Sequence, residues 1–504
     1  MATWAKISMV LLLVVQAYTS CVALNAGPKS RWVTRHLSRP DDLETRTHRH
    51  LIEKPTVDSS QKTLSNGWRT TLIHPHYKSE AENVTTLEKI HRDVETSKER
   101  ARFLDRRSRR ATYKHNKGRK MLQQDFVSSV QGTPGGYSMD ISIGTPPQTF
   151  SALADTGSDL VWLQSSDCNP CFESTTNYDA SVSSSYQPLG CGDVCDTLGS
   201  NKLSCDPNCQ YTYLYGDQSS TVGDFSLETV TLQDVAGGST SIPNFQFGRG
   251  LQNNGTFTGT SGIVGLARGP ISFPSQIAPS LTSNKFSYCL LSRYDPDTER
   301  SPIYFGEAAV PTNSTISETP LLKPYDPSVI PYYYVSLVDI SVNDERLSIP
   351  SSAFEIDRLT GNGGVIFDSG TTYTILTSAA YQKVREAFKS SLDSVYTPVD
   401  TSEYTGLEVC YDISGLSTVS IPSVTFNFDG ANWDLPFDNI VITFSIQGAG
   451  DLYICLAILE SEGLNIFGNV QQQDFQVLYD EDNSRIGWVE ADCKSNANDV
   501  CYSL

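Results

Sequence analysis

Two short stretches put a carboxylate where an apolar strand ends. In residues 151–164, SALADTGSDLVWLQ, Leu153 and Ala154 lead into Asp155, followed by Thr156, Gly157 and Ser158. In residues 363–376, GGVIFDSGTTYTIL, Val365, Ile366 and Phe367 lead into Asp368, followed by Ser369, Gly370 and Thr371. A single Asp-Thr-Gly also reads as an ordinary strand-to-turn exit, because Asp and Gly are turn residues. Two exits of one grammar point instead to a pair. Carboxylates in contact resist ionising together, so they share one proton and titrate as a unit. The ionised member can take a proton from a water while the protonated member polarises a carbonyl. That hydrolyses an amide without histidine, metal or covalent intermediate. Gly157 and Gly370 permit close backbone approach. Ser158 and Thr371 supply hydroxyls for the outer carboxylate oxygens.

The two acids meet only if two similar elements face each other, and the chain repeats itself in that way. Ile263-Val264-Gly265 follows Asp155, and Ile466-Phe467-Gly468 follows Asp368, each at a distance of about a hundred residues. Strand-like alternation starts near Gly136, in YSMDISIGTPPQTFSALADTG, and short strands with Gly, Pro, Ser and Asn turns continue to the end. Residues 378–392, SAAYQKVREAFKSSL, are the best helix. The expectation is an all-β fold with small helices, built as two related lobes with the acids between them. A length of 504 residues also exceeds one core. The Pro-, Thr- and Ser-rich residues 306–328 are the expected link.

Charge is sharply divided. Residues 24–124 carry 23 Lys and Arg against 12 Asp and Glu, whereas residues 125–504 carry 14 against 45. All seven histidines (36, 48, 50, 74, 76, 91 and 115) lie in the first part. The acidic body therefore lacks the His that Ser- or Cys-nucleophile systems and most zinc sites need. No metal and no cofactor is expected. Nucleic acid is disfavoured by the negative body. Lys6 followed by the apolar run Ile7–Val15 and the small residues near Ala23 read as a secretory signal, too short to span a bilayer. Behind such a signal, Arg106-Arg107-Ser108-Arg109-Arg110 fits a processed, solvated leader better than a nuclear address. Within that leader, the stretch from Thr85 has strong helix formers and reads as one amphipathic helix.

Residues 136–493 resemble the pepsin-like aspartic proteases, and more closely their plant nepenthesin-like branch. The resemblance rests on IGTPPQTF, DTGSDLVW, YTYLYGDQSSTVGDF, GIVGLARGPISFPSQI, FSYCLL, VIFDSGTTYT and NIFGNVQQQDFQVLYDEDNSRIGWVEADC. It implies a bilobal acid-protease fold: residues 1–23 a signal peptide, 24–125 a basic prosegment, 126–310 an N-terminal lobe with a Cys-rich insert before the flap, and 311–504 a C-terminal lobe. It implies that Asp155 and Asp368 are the catalytic pair, supported by Thr156, Gly157, Ser158, Ser369, Gly370 and Thr371. Tyr215 and Gly216 match the tip of a substrate-covering flap, and Trp162 the residue that supports its tyrosine. Gln218 departs from the Gly that many relatives carry there.

Eleven cysteines remain after the signal, and in a secreted chain without His partners they read as disulfides rather than metal ligands. The resemblance implies Cys191–Cys209 and Cys195–Cys205 nested in the insert, Cys410–Cys455 in the second lobe and Cys289–Cys493 tying the lobes. Ser165 and Arg249 stand where relatives carry cysteines. The orphans Cys168 and Cys171 are therefore expected to pair with each other, and Cys501 is left over.

These readings together describe a secreted aspartic endopeptidase, made as a zymogen and working at acidic pH with a water between Asp155 and Asp368. Its substrates are proteins or peptides, cut between apolar residues in an extended cleft. The basic leader covers the cleft as an intramolecular inhibitor, loosened from about pH 5 downward as carboxylates protonate. Maturation falls between about Arg107 and Gly136. A monomer without a membrane anchor is expected, extracellular in the apoplast, with the vacuole as the alternative. Asn83, Asn254 and Asn313 are sequons for glycans. The competing reading is a catalytically silent binding or inhibitor protein on the same fold, a class that has typically lost part of a motif. Both motifs are intact here.

Overall fold

Strands joined by turns and loops, with few helices among them, run from Ser138 to Glu490. The computed structural model describes residues 32–37, 68–72, 86–108 and 136–493, the last range without 175, 216–217, 235–237, 256–258, 292–300, 313, 323–330, 358–361 and 447–449. Ser138–Ile143 turns at Thr145-Pro146-Pro147 and returns antiparallel as Gln148–Asp155. Met139, Ile141 and Ile143 are buried, as strand alternation requires. Around this hairpin a nine-stranded sheet includes Gly262–Gly265, Trp162–Gln164, Ser220–Gln233 and Gln210–Leu214.

The internal repeat is a repeat of pairing. Gly262–Gly265 lies parallel to Gln148–Asp155 with Gly265 opposite Asp155. In the second half Asn465–Phe467 lies parallel to Val365–Phe367 with Phe467 opposite Phe367. Each acid thus leaves the middle of a sheet, where neighbours on both sides fix its backbone. The halves share a sheet: Lys285–Cys289 pairs with Phe475–Asp480, which pairs with Arg485–Glu490, which pairs with Ser317–Leu322. One apolar core runs through both halves. Trp433 lies 4.9 Å from the Phe467 ring, 4.6 Å from Phe475 and 4.8 Å from Trp488. Each such pair adds about 0.5–1.5 kcal/mol beyond area burial. The helix Ser378–Leu392 buries Ala380, Tyr381, Val384, Phe388 and Leu392, one helical stripe.

The basic N-terminal region holds a helix, Thr86–Ser108. Its buried residues are Ile90, Asp93, Val94, Ser97, Arg100, Ala101, Leu104 and Asp105, a 3.6-residue stripe half of which is polar. Ile90, Val94, Ala101 and Leu104 pack with Tyr332, Ile366, Ile375 and Leu459 of the second half. The region also contains two strands that its sequence pattern does not announce. Trp32–His36 pairs with Thr418–Pro422, and Trp68–Leu72 pairs with Ser301–Phe305. Five-residue strands are marginal alone, so it is the waiting edges in the body that make them strands.

The cysteine-rich insert is corrected in one respect. Cys191 pairs with Cys205 and Cys195 with Cys209, instead of the nested Cys191–Cys209 and Cys195–Cys205. Burial explains the choice. Cys195 and Cys209 both lie in an aromatic cluster with Tyr211, Tyr213 and Tyr215, while Cys191 is exposed and Cys205 half-buried. Cys168 pairs with Cys171, Cys289 with Cys493 and Cys410 with Cys455. Arg249 donates from Nε to the Ser165 hydroxyl at 3.0 Å and pairs with Asp167, a polar tie between the two positions that lack cysteine. Cys501 lies outside the described residues.

Candidate active site

Asp155 is the last residue of its strand, and Asp368 follows Val365–Phe367. Both are fully buried. Each carboxylate is held by its own turn. Asp155 accepts from the Gly157 amide at 3.0 Å and the Ser158 hydroxyl at 2.5 Å. Asp368 accepts from the Gly370 amide at 2.9 Å and the Thr371 hydroxyl at 2.6 Å. The two turns also grip each other. The Ser369 amide donates to the Thr156 hydroxyl at 2.8 Å, and the Thr156 amide to the Ser369 hydroxyl at 3.1 Å. A Cβ on Gly370 would come within 2.5 Å of Asp155 Oδ1, and one on Gly157 within 2.7 Å of Asp368 Oδ1. Glycine at both turns is what lets each carboxylate approach the opposite half.

A side chain outside the sequence-derived set completes the site. Arg100, from the middle of the helix Thr86–Ser108, inserts its guanidinium between the acids. Its Nε donates to Asp368 Oδ2 at 2.6 Å, and its Nη2 donates to Asp368 Oδ1 at 3.0 Å and to Asp155 Oδ1. Burial would penalise all three charges, but the ion pairs win for two of them. Arg100 is held firmly protonated, desolvation being outweighed by both carboxylates. Asp368, equally buried, is held below its usual range by Arg100, Thr371 and Gly370. Asp155 is pushed up, by burial first and by the neighbouring Asp368, against the pull of Arg100. The asymmetry follows contact: Asp368 receives two guanidinium hydrogen bonds and Asp155 one.

The residues expected to form the flap and its support, Tyr215 and Trp162, are both buried. Trp162 donates from Nε1 to the Tyr215 hydroxyl at 2.7 Å, and the Tyr213 ring lies tilted against Tyr215 with centroids 5.0 Å apart. Burial raises the Tyr215 phenol well above its ordinary value, so it stays protonated. Gly216 lies outside the described residues. Gln218 has a φ of 67°, left-handed backbone that glycine adopts without strain, and its side chain reaches Glu99 of the inserted helix at 3.5 Å. Among the glycan candidates Asn254 is exposed, while Asn83 and Asn313 lie outside the described residues. No group of three or more His, Cys, Asp or Glu that could hold a metal occurs among the described residues. Arg100 escaped the sequence reading because the basic N-terminal region offers many arginines. The signal was its place on the apolar stripe, between Val94 and Leu104.

Family models described as Xylanase inhibitor N-terminal and Xylanase inhibitor C-terminal match residues 137–307 and 332–490. Among curated relatives, the chain is 39% identical to aspartic proteinase nepenthesin-1 of Nepenthes gracilis, covering 84% of this chain and 93% of that one. It is 37% identical to nepenthesin-2 of the same plant, over 82% and 87% of the two chains. It is 36% identical to aspartyl protease family protein 2 of Arabidopsis thaliana, over 74% of each. Two solved structures share the fold at low identity. One is edgp (TM-score 0.60, 21% identity, 76% of this chain and 99% of that one), and the other is basic 7S globulin from soybean (0.57, 20%, 74% and 97%).

Proposed function

Because the chain belongs to the pepsin-like aspartic proteases, in their plant nepenthesin-like branch, and is an aspartic-type endopeptidase, we propose that it is made as a zymogen whose Arg100 occupies the catalytic pair until acid releases it. The seat of Arg100 on both carboxylates carries this reading. In that form Asp155 and Asp368 are committed to a guanidinium and have no free face for a shared water. With the helix gone, two like charges face each other without a cation, and one must take a proton. The ionised carboxylate then draws a proton from a water as it attacks the peptide carbonyl, and the protonated one stabilises the developing oxyanion. Ser158 and Thr371 hold the outer oxygens, so the inner ones stay aimed at the water. Tyr215, braced by Trp162, closes over the bound chain.

The same reading makes residues 24–125 the prosegment and carries the chain by the secretory route to the extracellular space as a monomer. The leader-like start and the five disulfides favour that route. The experiment uses the full-length chain, with Asp155→Asn and Arg100→Gln beside it, on an unfolded protein between about pH 3 and about pH 7. We expect acid-dependent loss of the N-terminal region followed by cleavage, absent in Asp155→Asn and blocked by a statine-type inhibitor. Arg100→Gln is expected to cleave at higher pH than the wild type. An intact wild-type chain fully active at neutral pH would overturn the zymogen reading. A correctly processed chain without cleavage would overturn the assignment of the pair.

A further inference from the structure

Far from the acids in sequence, the second half offers a built edge. Thr418–Pro422 forms a two-stranded sheet whose other strand is Trp32–His36, and it pairs with no other strand among the described residues. On its inner side the Tyr396 hydroxyl donates to the Ser420 carbonyl at 3.0 Å and accepts from the Ser420 amide at 2.9 Å. The outer side is left for Trp32–His36, with Val33 opposite Ile421, Arg35 opposite Val419, and the Leu37 amide donating to the Ser417 carbonyl at 3.0 Å.

Side chains give this edge a definite preference. Val33 and Leu37 pack against the main core. Between them Arg35 pairs with Asp438 and lies 6.0 Å over the Phe437 ring. On the other face the hydroxyls of Thr34 and Ser420 meet at 2.8 Å, and His36 Nδ1 meets the Thr418 hydroxyl at 3.0 Å. The edge thus reads an extended chain as apolar, polar, cation, polar, apolar. Nothing here touches the acid pair, which Arg100 closes by itself.

We propose that this edge, Ser417–Pro422 with Phe437 and Asp438, is a second docking site for extended, cation-bearing segments of polypeptide substrates, uncovered when Trp32–His36 departs. Its use in the working enzyme rests on the loss of the N-terminal region proposed above. An uncovered strand edge pairs readily with any extended chain, and backbone pairing supplies affinity while alternate side chains supply selectivity. A strongly acidic body favours a cationic segment over a neutral one. A second copy is the poorer occupant, because its own Thr418-Val419-Ser420-Ile421-Pro422 brings no cation to Asp438.

The first arm of the test does not depend on maturation. Full-length chain carrying Val33→Asp, Arg35→Glu and Leu37→Asp frees the edge with the helix still in place. A fluorescein-labelled peptide of residues 31–38 is titrated onto this variant, onto untreated wild type and onto acid-processed wild type, and anisotropy is read. Saturable binding is expected to the variant and to the processed enzyme but not to untreated wild type. A statine-type inhibitor should leave it unchanged. Adding Asp438→Lys should weaken it by about three- to tenfold, and a peptide with Arg35→Glu should recover the loss. A peptide substrate extended by Val-Thr-Arg-His-Leu should show lower KM at unchanged kcat, lost with Asp438→Lys. If the triple variant misfolds, the processed wild type carries the test. No saturable binding to either freed form, binding indifferent to Asp438→Lys, or dimerisation of the freed chain in place of peptide binding would each overturn the proposal.

Discussion

Thr156 and Ser369 hold each other reciprocally, each side-chain hydroxyl accepting the other's backbone amide, at 2.8 Å and 3.1 Å. The grip crosses the boundary between the halves next to the two acids. Thr156→Val keeps the shape but leaves the Ser369 amide buried without its acceptor, a loss of about 1–3 kcal/mol. Urea unfolding of the full-length chain should show that loss, and kcat should fall more than KM rises, because the separation of the acids slackens. Unchanged stability and kcat would show that packing alone sets the spacing.

For the acid release proposed above, the contacts of Arg100 set the sign of the pH dependence. Asp368 is held below its usual range, so its part of the helix's docking is present above that range and lost as pH falls through the depressed value. Asp155 is pushed up and protonates earlier, which acts in the opposite direction, relieving the closed form instead of opening it. Release by the pair is therefore expected below about pH 4. Arg100→Gln removes two charge-assisted bonds to Asp368 and should move the midpoint of processing upward in pH. At a fixed acid pH it should speed processing by about tenfold or more. Stopped-time gels across pH read both quantities, and a midpoint indifferent to Arg100 would assign release to other carboxylates.

Trp162 and Tyr215 form a buried, hydrogen-bonded pair, and under the proposed function Tyr215 closes over the substrate. Trp162→Phe and Tyr215→Phe should each lower kcat/KM by roughly fivefold, the worth of about 1 kcal/mol. The double variant should lose little more than either single one, because both remove one interaction. Strict additivity would mean that the two rings act independently.

Disulfide mapping of the unreduced protein should recover Cys191 joined to Cys205 and Cys195 joined to Cys209. Each closes a separation of 14 residues, so loop closure predicts about 3 kcal/mol for either one. Replacing Cys195 and Cys209 by Ala should cost more than replacing Cys191 and Cys205. The first pair also fills space among Tyr211, Tyr213 and Tyr215. Equal shifts in Tm would remove the packing part of this account.

Local chemistry carried the acids, the hydroxyls beside them and the helix Ser378–Leu392 to their observed places. The Asp-Thr-Gly and Asp-Ser-Gly turns hold their carboxylates with atoms two and three residues away, so the arrangement is encoded within each motif. The parallel partners Gly262–Gly265 and Asn465–Phe467 were legible as a repeat of the same apolar-apolar-Gly grammar. The strands Trp32–His36 and Trp68–Leu72 were not legible. Neither five-residue stretch carries a long enough pattern to choose an extended form alone, and the choice is made by the edges they meet. The pairing among Cys191, Cys195, Cys205 and Cys209 was open for a related reason, since both connectivities satisfy the spacing and only burial separates them.

The sequence by itself determined an acidic two-part β protein with two matched carboxylates, a basic N-terminal region and no histidine in its body. Only the tertiary structure decided which cation meets those carboxylates. Many Lys and Arg side chains of residues 24–124 satisfy the overall attraction between this region and the acidic body equally well. Arg100 is singled out by a helix stripe that docks Ile90, Val94, Ala101 and Leu104 on the second half, which points one guanidinium between Asp155 and Asp368. Long-range charge is nonspecific, and short-range packing selects the residue.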